Sequence, residues 1–244
     1  MDDIRAQSLP DLLAILKSTN ISVPPRAKGR TKEHCEQWSM CRLLSTLAAR
    51  NLIEYPVHIH HQDKPDFRMQ TGRESVGIEV TEAISQDYAA VSALSEKENP
   101  DAVIDMSLFK WGTQSKTVDE LREIISQKKL TGPGWEGDAP EREWAEAITQ
   151  IILTKHLRLV SPDFERFSTN WLLIYDNLPL PNPDPILSLK YLSRNIRPYW
   201  FRSPRFDSIY VESGDEIFRL MASGEVRLLQ NKIGKTGRWE ARGT

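Results

Sequence analysis

The sequence predicts a mixed α/β fold, and three observations carry that reading. Alternating apolar residues between Lys64 and Glu82 describe a β-hairpin. A nearly continuous apolar run, Trp171 to Tyr175, describes a central strand buried on both faces. Apolar residues at helical spacing precede each of them: Met40, Leu43, Leu44 and Leu47 before the hairpin, and Trp144, Ile148, Ile151 and Ile152 before the run.

Taken in order, Leu9 to Lys17 reads as a short helix with Leu12, Leu13, Ile15 and Leu16 as its stripe. Val23 to Arg30 is a basic linker broken by Pro24, Pro25 and Gly29. A longer helix from about Thr31 to Arg50 follows, and Glu36 falls on its apolar side, four residues before Met40. A carboxylate aimed at a core face needs a partner or a ligand. Tyr55 to His61 alternates as a strand, with Val57 and Ile59 on one face and His58 and His60 on the other. After the hairpin, Thr81 to Lys97 reads as a helix ended by Asn99-Pro100, and residues 100–116 read as irregular. Thr117 and Glu120 form a capping box opening a helix to about Leu130; Asp138 and Glu141 form a second, weaker box opening the helix from about Pro140 to Leu157. Lys155 lies on that helix's apolar stripe, where a lysine either snorkels or meets an acid. After the run ending at Asp176, four prolines make Asn177 to Pro185 a loop, and Ile186 to Asn195 is a helix. Ser208 to Leu229 reads as a small antiparallel unit with turns at Ser213-Gly214-Asp215 and Ser223-Gly224, followed by a basic tail.

The hairpin holds the chemistry. Phe67, Met69, Val76, Ile78 and Val80 make its oily face. Thr71-Gly72-Arg73-Glu74 joins the strands, and Gly72 at the first central position suits a type II′ turn. With that turn, paired residue numbers sum to 145 and Asp66 lies opposite Glu79 on the polar face, beside Gly77 and Thr81. Directly opposed residues have β-carbons about 4.5–5.5 Å apart. Like charges that close repel, unless a divalent cation lies between them. The plain alternative is a pair of solvated acids on an outer sheet face.

Composition narrows the function classes. The 244 residues, 39% of them apolar and seven of them Trp, suffice for one large domain or a domain with an appendage. A net charge of −2 gives no global attraction to nucleic acid, so any such surface is local. Cys35 and Cys41 sit on one helix out of bridging reach, and the N-terminus has no basic-then-apolar leader, so the cytoplasm is the expected compartment. No apolar run approaches the roughly 18 residues of a membrane span. No Walker A loop, GxSxG elbow or HExxH motif occurs. Of His58, His60, His61 and Cys35 only two ligands converge, too few for zinc.

A helix with an inward Glu36, a strand, a strand opened by Pro65-Asp66, a strand carrying Gly77-Ile78-Glu79-Val80-Thr81, a later helix and then the strand WLLIYD: this order resembles the PD-(D/E)XK nuclease superfamily. The resemblance covers roughly Thr31 to Asp176. It implies a restriction-endonuclease-like α-β-β-β-α-β core over residues 31–176, with a helical insertion at 83–137. Residues 1–30 become an N-terminal helix and linker, and residues 177–244 a small antiparallel C-terminal extension packed on the core. It implies a metal-dependent nuclease, with Asp66, Glu79 and Glu36 holding Mg²⁺ or Mn²⁺. It implies nucleic acid as partner, DNA before RNA, with no membrane, and a homodimer as one assembly such nucleases adopt. The motif lysine is replaced by Thr81, which carries no charge. Lys155 is the foremost candidate for a lysine supplied from another element, ahead of Lys97 and Lys64. If none reaches the site, a catalytically silent binding or interaction module on the same fold is the alternative. A third reading is a structural protein whose hairpin acids are incidental.

Ser193 to Phe206 interleaves Arg194, Arg197, Arg202 and Arg205 with Tyr199, Trp200, Phe201 and Phe206. Such a mixture suits phosphate contacts and base stacking, or else a packed loop whose arginines face water. Arg26, Lys28 and Arg30 in the linker and Lys232, Lys235, Arg238 and Arg242 in the tail would extend a nucleic-acid face.

Overall fold

The strands of this chain pair in the order in which they occur. The computed structural model describes residues 3–127 and 132–224, and the backbone of 226–230. Among the described residues eight strands form one sheet: β1 (Ile4–Ala6), β2 (Val57–His61), β3 (Phe67–Thr71), β4 (Ser75–Ala83), β5 (Thr169–Asp176), β6 (Ser208–Ser213), β7 (Glu216–Met221) and β8 (Val226–Gln230). β1 to β4 are successively antiparallel, β5 runs parallel to both β4 and β6, and β6 to β8 are antiparallel again.

The helices cover both faces, as mixed sheets with parallel strands require. On one face lie α1 (Leu9–Ser18) and α2 (Lys32–Ala49), whose Leu12, Leu16, Met40, Leu43, Leu44 and Leu47 pack against Ile59, Phe67, Met69, Ile78, Val80 and Leu173. The helices α3 (Gln86–Glu98) and α4 (Val118–Gln127) follow β4, and α5 (Ala139–Leu159) precedes β5. On the opposite face α5 and α6 (Pro185–Ile196) pack Trp144, Ile148, Ile152, Leu189 and Leu192 against Leu172, Ile174, Ile209 and Val211. The two-residue pleat explains the split, since Leu172 and Ile174 face one layer and Leu173 the other. β5 is therefore buried on both sides, as its unbroken apolar sequence predicts.

α3 and α4 gather a smaller core of their own, Val91, Phe109, Leu121 and Ile125, between β4 and α5. Without them the order from α2 to β5 is helix, three strands, helix, strand. Thr117 caps α4 as expected: its hydroxyl and amide meet Glu120 at 2.8 and 2.7 Å.

Several expectations are corrected. The polypeptide stays extended to Ala83, and the next helix begins only at Gln86, capped by Ser85. Residues 106–109 form a 3₁₀ turn within the stretch read as irregular. The box at Asp138 does not form. Asp138 is held by Arg142 and Tyr191, and Glu141 accepts the Asp184 amide at 2.8 Å, so tertiary partners outcompete the local cap. The C-terminal strands are not a separate unit packed on the core; β6 joins β5 in parallel and carries the sheet onward. Ile4–Ala6, ahead of the first helix, adds an edge strand to β2. Among the described residues no helix is long and apolar enough to cross a membrane.

Candidate functional site

The hairpin register is the one that the alternation predicts. Phe67 pairs with Ile78, Arg68 with Gly77, Met69 with Val76 and Gln70 with Ser75, each pair summing to 145. The turn is of another kind: neither Gly72 nor Arg73 has a left-handed backbone, so type II′ is not used. Thr71 closes the loop instead, its amide donating to the Glu74 carbonyl at 2.9 Å and its hydroxyl accepting the Glu74 amide at 3.2 Å. A threonine hydroxyl organising a turn in this way removes the need for positive φ.

Beyond Phe67 the two strands part, and Asp66 takes over the ladder. Its Oδ2 accepts the Val80 amide at 2.7 Å, satisfying a buried donor that the strand no longer pairs. Pro65 rests on Gly77 so closely that a Cβ there would lie 2.9 Å from its Cγ. Glu79 rises from the centre of β4 on the α5 side, next to Leu172 of β5. Lys155, on the apolar stripe of α5, reaches it with Nζ 2.7 Å from Glu79 Oε1. From the other layer, α2 starts at the Thr31 cap and presents Lys32 in its first turn and Glu36 one turn later. Lys32 Nζ donates to Asp66 Oδ1 at 2.7 Å and lies 2.5 Å from Glu36 Oε1. His61, the last residue of β2, meets Glu36 Oε2 at 2.9 Å.

The three carboxylates are buried: Glu36, Asp66 and Glu79 are 4%, 2% and 6% exposed. Burial, and then the charge of Glu79, push the Asp66 carboxyl up to about 6 against the pull of Lys32 and the Val80 amide. Burial alone would raise Glu36 too, but its contacts with Lys32 and His61 outweigh that and hold it below the ordinary value. Lys32 is raised, because the two carboxylates more than offset its partial desolvation.

A cleft of about 390 Å³ opens beside this cluster, walled by Lys32, Glu36, Thr81 and Lys155 and, further along, by Arg26 and Arg30. The two arginines are half-buried and anchored on Glu82, at 2.7 and 3.1 Å. Glu82 points to the opposite pleat from Glu79, as the strand period requires.

The donor set suits a hard divalent cation by its chemistry: carboxylate oxygens, desolvated, two of them mutually repelling. As they stand, two ammonium groups supply the counter-charge. Among the described residues no three His, Cys, Asp or Glu side chains are spaced to hold an ion.

Glu36, Asp66, Glu79 and Lys155 thus fall in one charged cluster, with Lys32 tying Glu36 to Asp66, Lys155 paired with Glu79, and Glu79 near enough to raise Asp66. The other lysines considered do not: Lys64 pairs with Asp163 at 2.7 Å, and Lys97 is exposed at the end of α3. His58 and His60 bond Asp3 at 3.2 and 2.6 Å, and His61 is the histidine at the site. Arg194, Arg197, Trp200, Arg202 and Arg205 lie on α6 and the turn after it. Arg197 and Trp200 line a separate pocket with Leu220 and Met221 of β7, three strands from β4. Tail residues Lys232, Lys235, Arg238 and Arg242 fall outside the described residues.

Sequence reasoning missed Lys32 and His61. Both left a signal: Lys32 precedes Glu36 by one helical turn, and His61 shares its pleat face with Val57 and Ile59, the face toward α2. Comparison with family models, with curated proteins and with solved structures gives no match.

Proposed function

We propose that this chain is a divalent-cation-dependent nuclease hydrolysing phosphodiester bonds in nucleic acid, DNA before RNA, on a core of the restriction-endonuclease-like PD-(D/E)XK type. The observation that carries the reading is a buried charged cluster beside one cleft: Lys32 bridges Glu36 and Asp66, and the Lys155 ammonium sits on Glu79. The element order from α2 to β5 supports it, and so does the parallel pairing of β4 with β5.

In this reading Asp66, Glu79 and Glu36 hold Mg²⁺ or Mn²⁺, which when bound polarises the phosphoryl oxygen and acidifies a water. Lys155 stands in for the lysine absent at Thr81. Its Nζ holds Glu79 Oε1 and lines the cleft, where its other N–H donors would serve a phosphate oxygen or the attacking water. Arg26 and Arg30, fixed by Glu82, offset phosphate charge along the cleft wall.

The test is cleavage of supercoiled, linear and single-stranded DNA and of RNA, with Mg²⁺ or Mn²⁺, by the wild type and by Asp66→Ala, Glu79→Ala and Lys155→Ala. Cleavage that needs the cation and is lost in both carboxylate variants is expected. Equal cleavage by Asp66→Ala would remove the assignment. Nucleic-acid binding without cleavage would instead favour a silent binding module, the reading to which Thr81 lends weight.

A further inference from the structure

We propose that Lys32 is an internal stand-in for the divalent cation: its ammonium bridges Asp66 and Glu36 in the cation-free chain and is displaced into the cleft when the cation binds. This rests on the reading of the acidic cluster as a metal site.

The oxygens are already sorted. Asp66 keeps Oδ2 on the Val80 amide and turns Oδ1 to Lys32. Glu36 keeps Oε2 on His61 and turns Oε1 to Lys32. Each carboxylate therefore has one oxygen fixed by the fold and one committed to a positive charge. The two committed oxygens lie 2.7 and 2.5 Å from the same nitrogen. An ion bridging these two oxygens at the roughly 2.0–2.1 Å typical of Mg²⁺ would lie between them, where the ammonium now sits, so the two compete for one position.

Lys32 is also built to leave. Its side chain is 68% exposed and sits in the first turn of α2, tied down at its tip by those two oxygens. Lys155 differs: its side chain is 19% exposed, its stem lies on a packed stripe and it contacts a single oxygen of Glu79. Lys32 already forms part of the cleft wall, so a short swing delivers its charge to the space a phosphate would enter. The arrangement holds two repelling acids in place without a cation and weakens the first cation's hold by competition.

The test is Mn²⁺ binding measured by calorimetry and by paramagnetic resonance on chelator-treated protein at pH 8, with folding checked by circular dichroism. Lys32→Gln is expected to bind Mn²⁺ at least tenfold tighter than the wild type. Lys32→Arg, which keeps the charge, is expected to show no gain, and Asp66→Asn to lose binding. In the unaltered chain, Mg²⁺ is expected to raise acylation of the Lys32 amine, read by mass spectrometry. If the wild type binds Mn²⁺ and Lys32→Gln binds no tighter, the stand-in role is wrong while the metal site survives. Lys32 acylation unmoved by saturating Mg²⁺ would overturn it equally. If neither the wild type nor Lys32→Gln binds, the metal reading itself fails and takes this proposal with it.

Discussion

Asp66 is buried beside another carboxylate, and its pH dependence follows from that conflict. Burial and the neighbouring Glu79 lift its carboxyl to about 6, from an ordinary value of 3.8. The folded chain therefore holds that proton more tightly than the unfolded one. Stability from this group is full below about pH 4, drains away as the pH climbs toward 6, and is gone above it. In chelator, the stability of Asp66→Asn relative to wild type should rise across that window by roughly 1–3 kcal/mol. Urea melts at half-unit pH steps measure it, and a flat difference between pH 4 and 6 would contradict the assignment. A second buried acid makes a different point. Glu212 is fully buried, with Oε1 2.8 Å from Arg42 Nε, and Arg42 stacks over Trp38 at 4.3 Å. Burial still pushes Glu212 up to about 7 and draws Arg42 down, so desolvation exceeds the attraction on both partners. Removing one partner, by Arg42→Met or Glu212→Leu, should cost about 3–5 kcal/mol, whereas replacing both together should cost far less. A double-mutant cycle by denaturant unfolding decides this; additive losses would mean the pair is not coupled.

At the level of elements, the hairpin was the most legible part of the sequence, and for a physical reason. Its register is fixed by five alternating apolar side chains that must all face one layer, and a slip of one residue would expose every one of them. The turn type was not legible, because the Thr71 hydroxyl does locally what a left-handed Gly72 would have done. The box at Asp138 failed for a related reason: Arg142, Tyr191 and the Asp184 amide are tertiary partners that no local pattern reveals. Glu36 and Lys155 were visible as charged residues on apolar stripes. Lys32 and His61 left only spacing as a signal, one helical turn before Glu36 and one pleat face with Val57 and Ile59, because their roles depend on how the start of α2 docks beside the end of β2. Gly77 links the hairpin to the site. A Cβ there would lie 2.6 Å from Phe167 Cδ2 and 2.9 Å from Pro65 Cγ, whereas at Gly72 nothing comes within 4 Å. Gly77→Ala should therefore push Pro65, and with it Asp66, out of place. We expect a loss of about 1–3 kcal/mol, together with weaker Mn²⁺ binding. Gly72→Ala should leave both close to wild type; equal behaviour of the two variants would mean that the Pro65 contact does not position the carboxylate.

For the whole molecule, the decisive fact is that the sheet does not stop where the acidic cluster does. A chain divided after Asp176 looks reasonable from sequence, because the loop that follows is rich in proline and the later strands read as antiparallel hairpins. Yet β6 pairs in parallel with β5 from Trp171↔Ser208 to Tyr175↔Glu212, and such a pairing needs the α6 crossover to bring the chain back. α6 and β6 also bury their apolar residues in the same core as α5 and β5: Leu189, Leu192, Ile209 and Val211 pack with Trp144, Ile148, Leu172 and Ile174. Cutting the chain there would turn β5 into a long apolar edge strand and strip one side of α5, exposing the kind of edge that drives aggregation. The native edge at β1 is the opposite, three residues long with Arg5 facing solvent. Residues 1–176 expressed alone should therefore be insoluble or lack fixed tertiary packing, even though they contain Glu36, Asp66, Glu79 and Lys155. Soluble yield, near-ultraviolet circular dichroism and amide dispersion in NMR spectra read this directly. A truncated chain that melts cooperatively near the full-length temperature would show that the strands beyond β5 are an addition to a self-sufficient core. The expected collapse would show instead that Glu79 and Lys155 are held in register by a sheet that extends well past them.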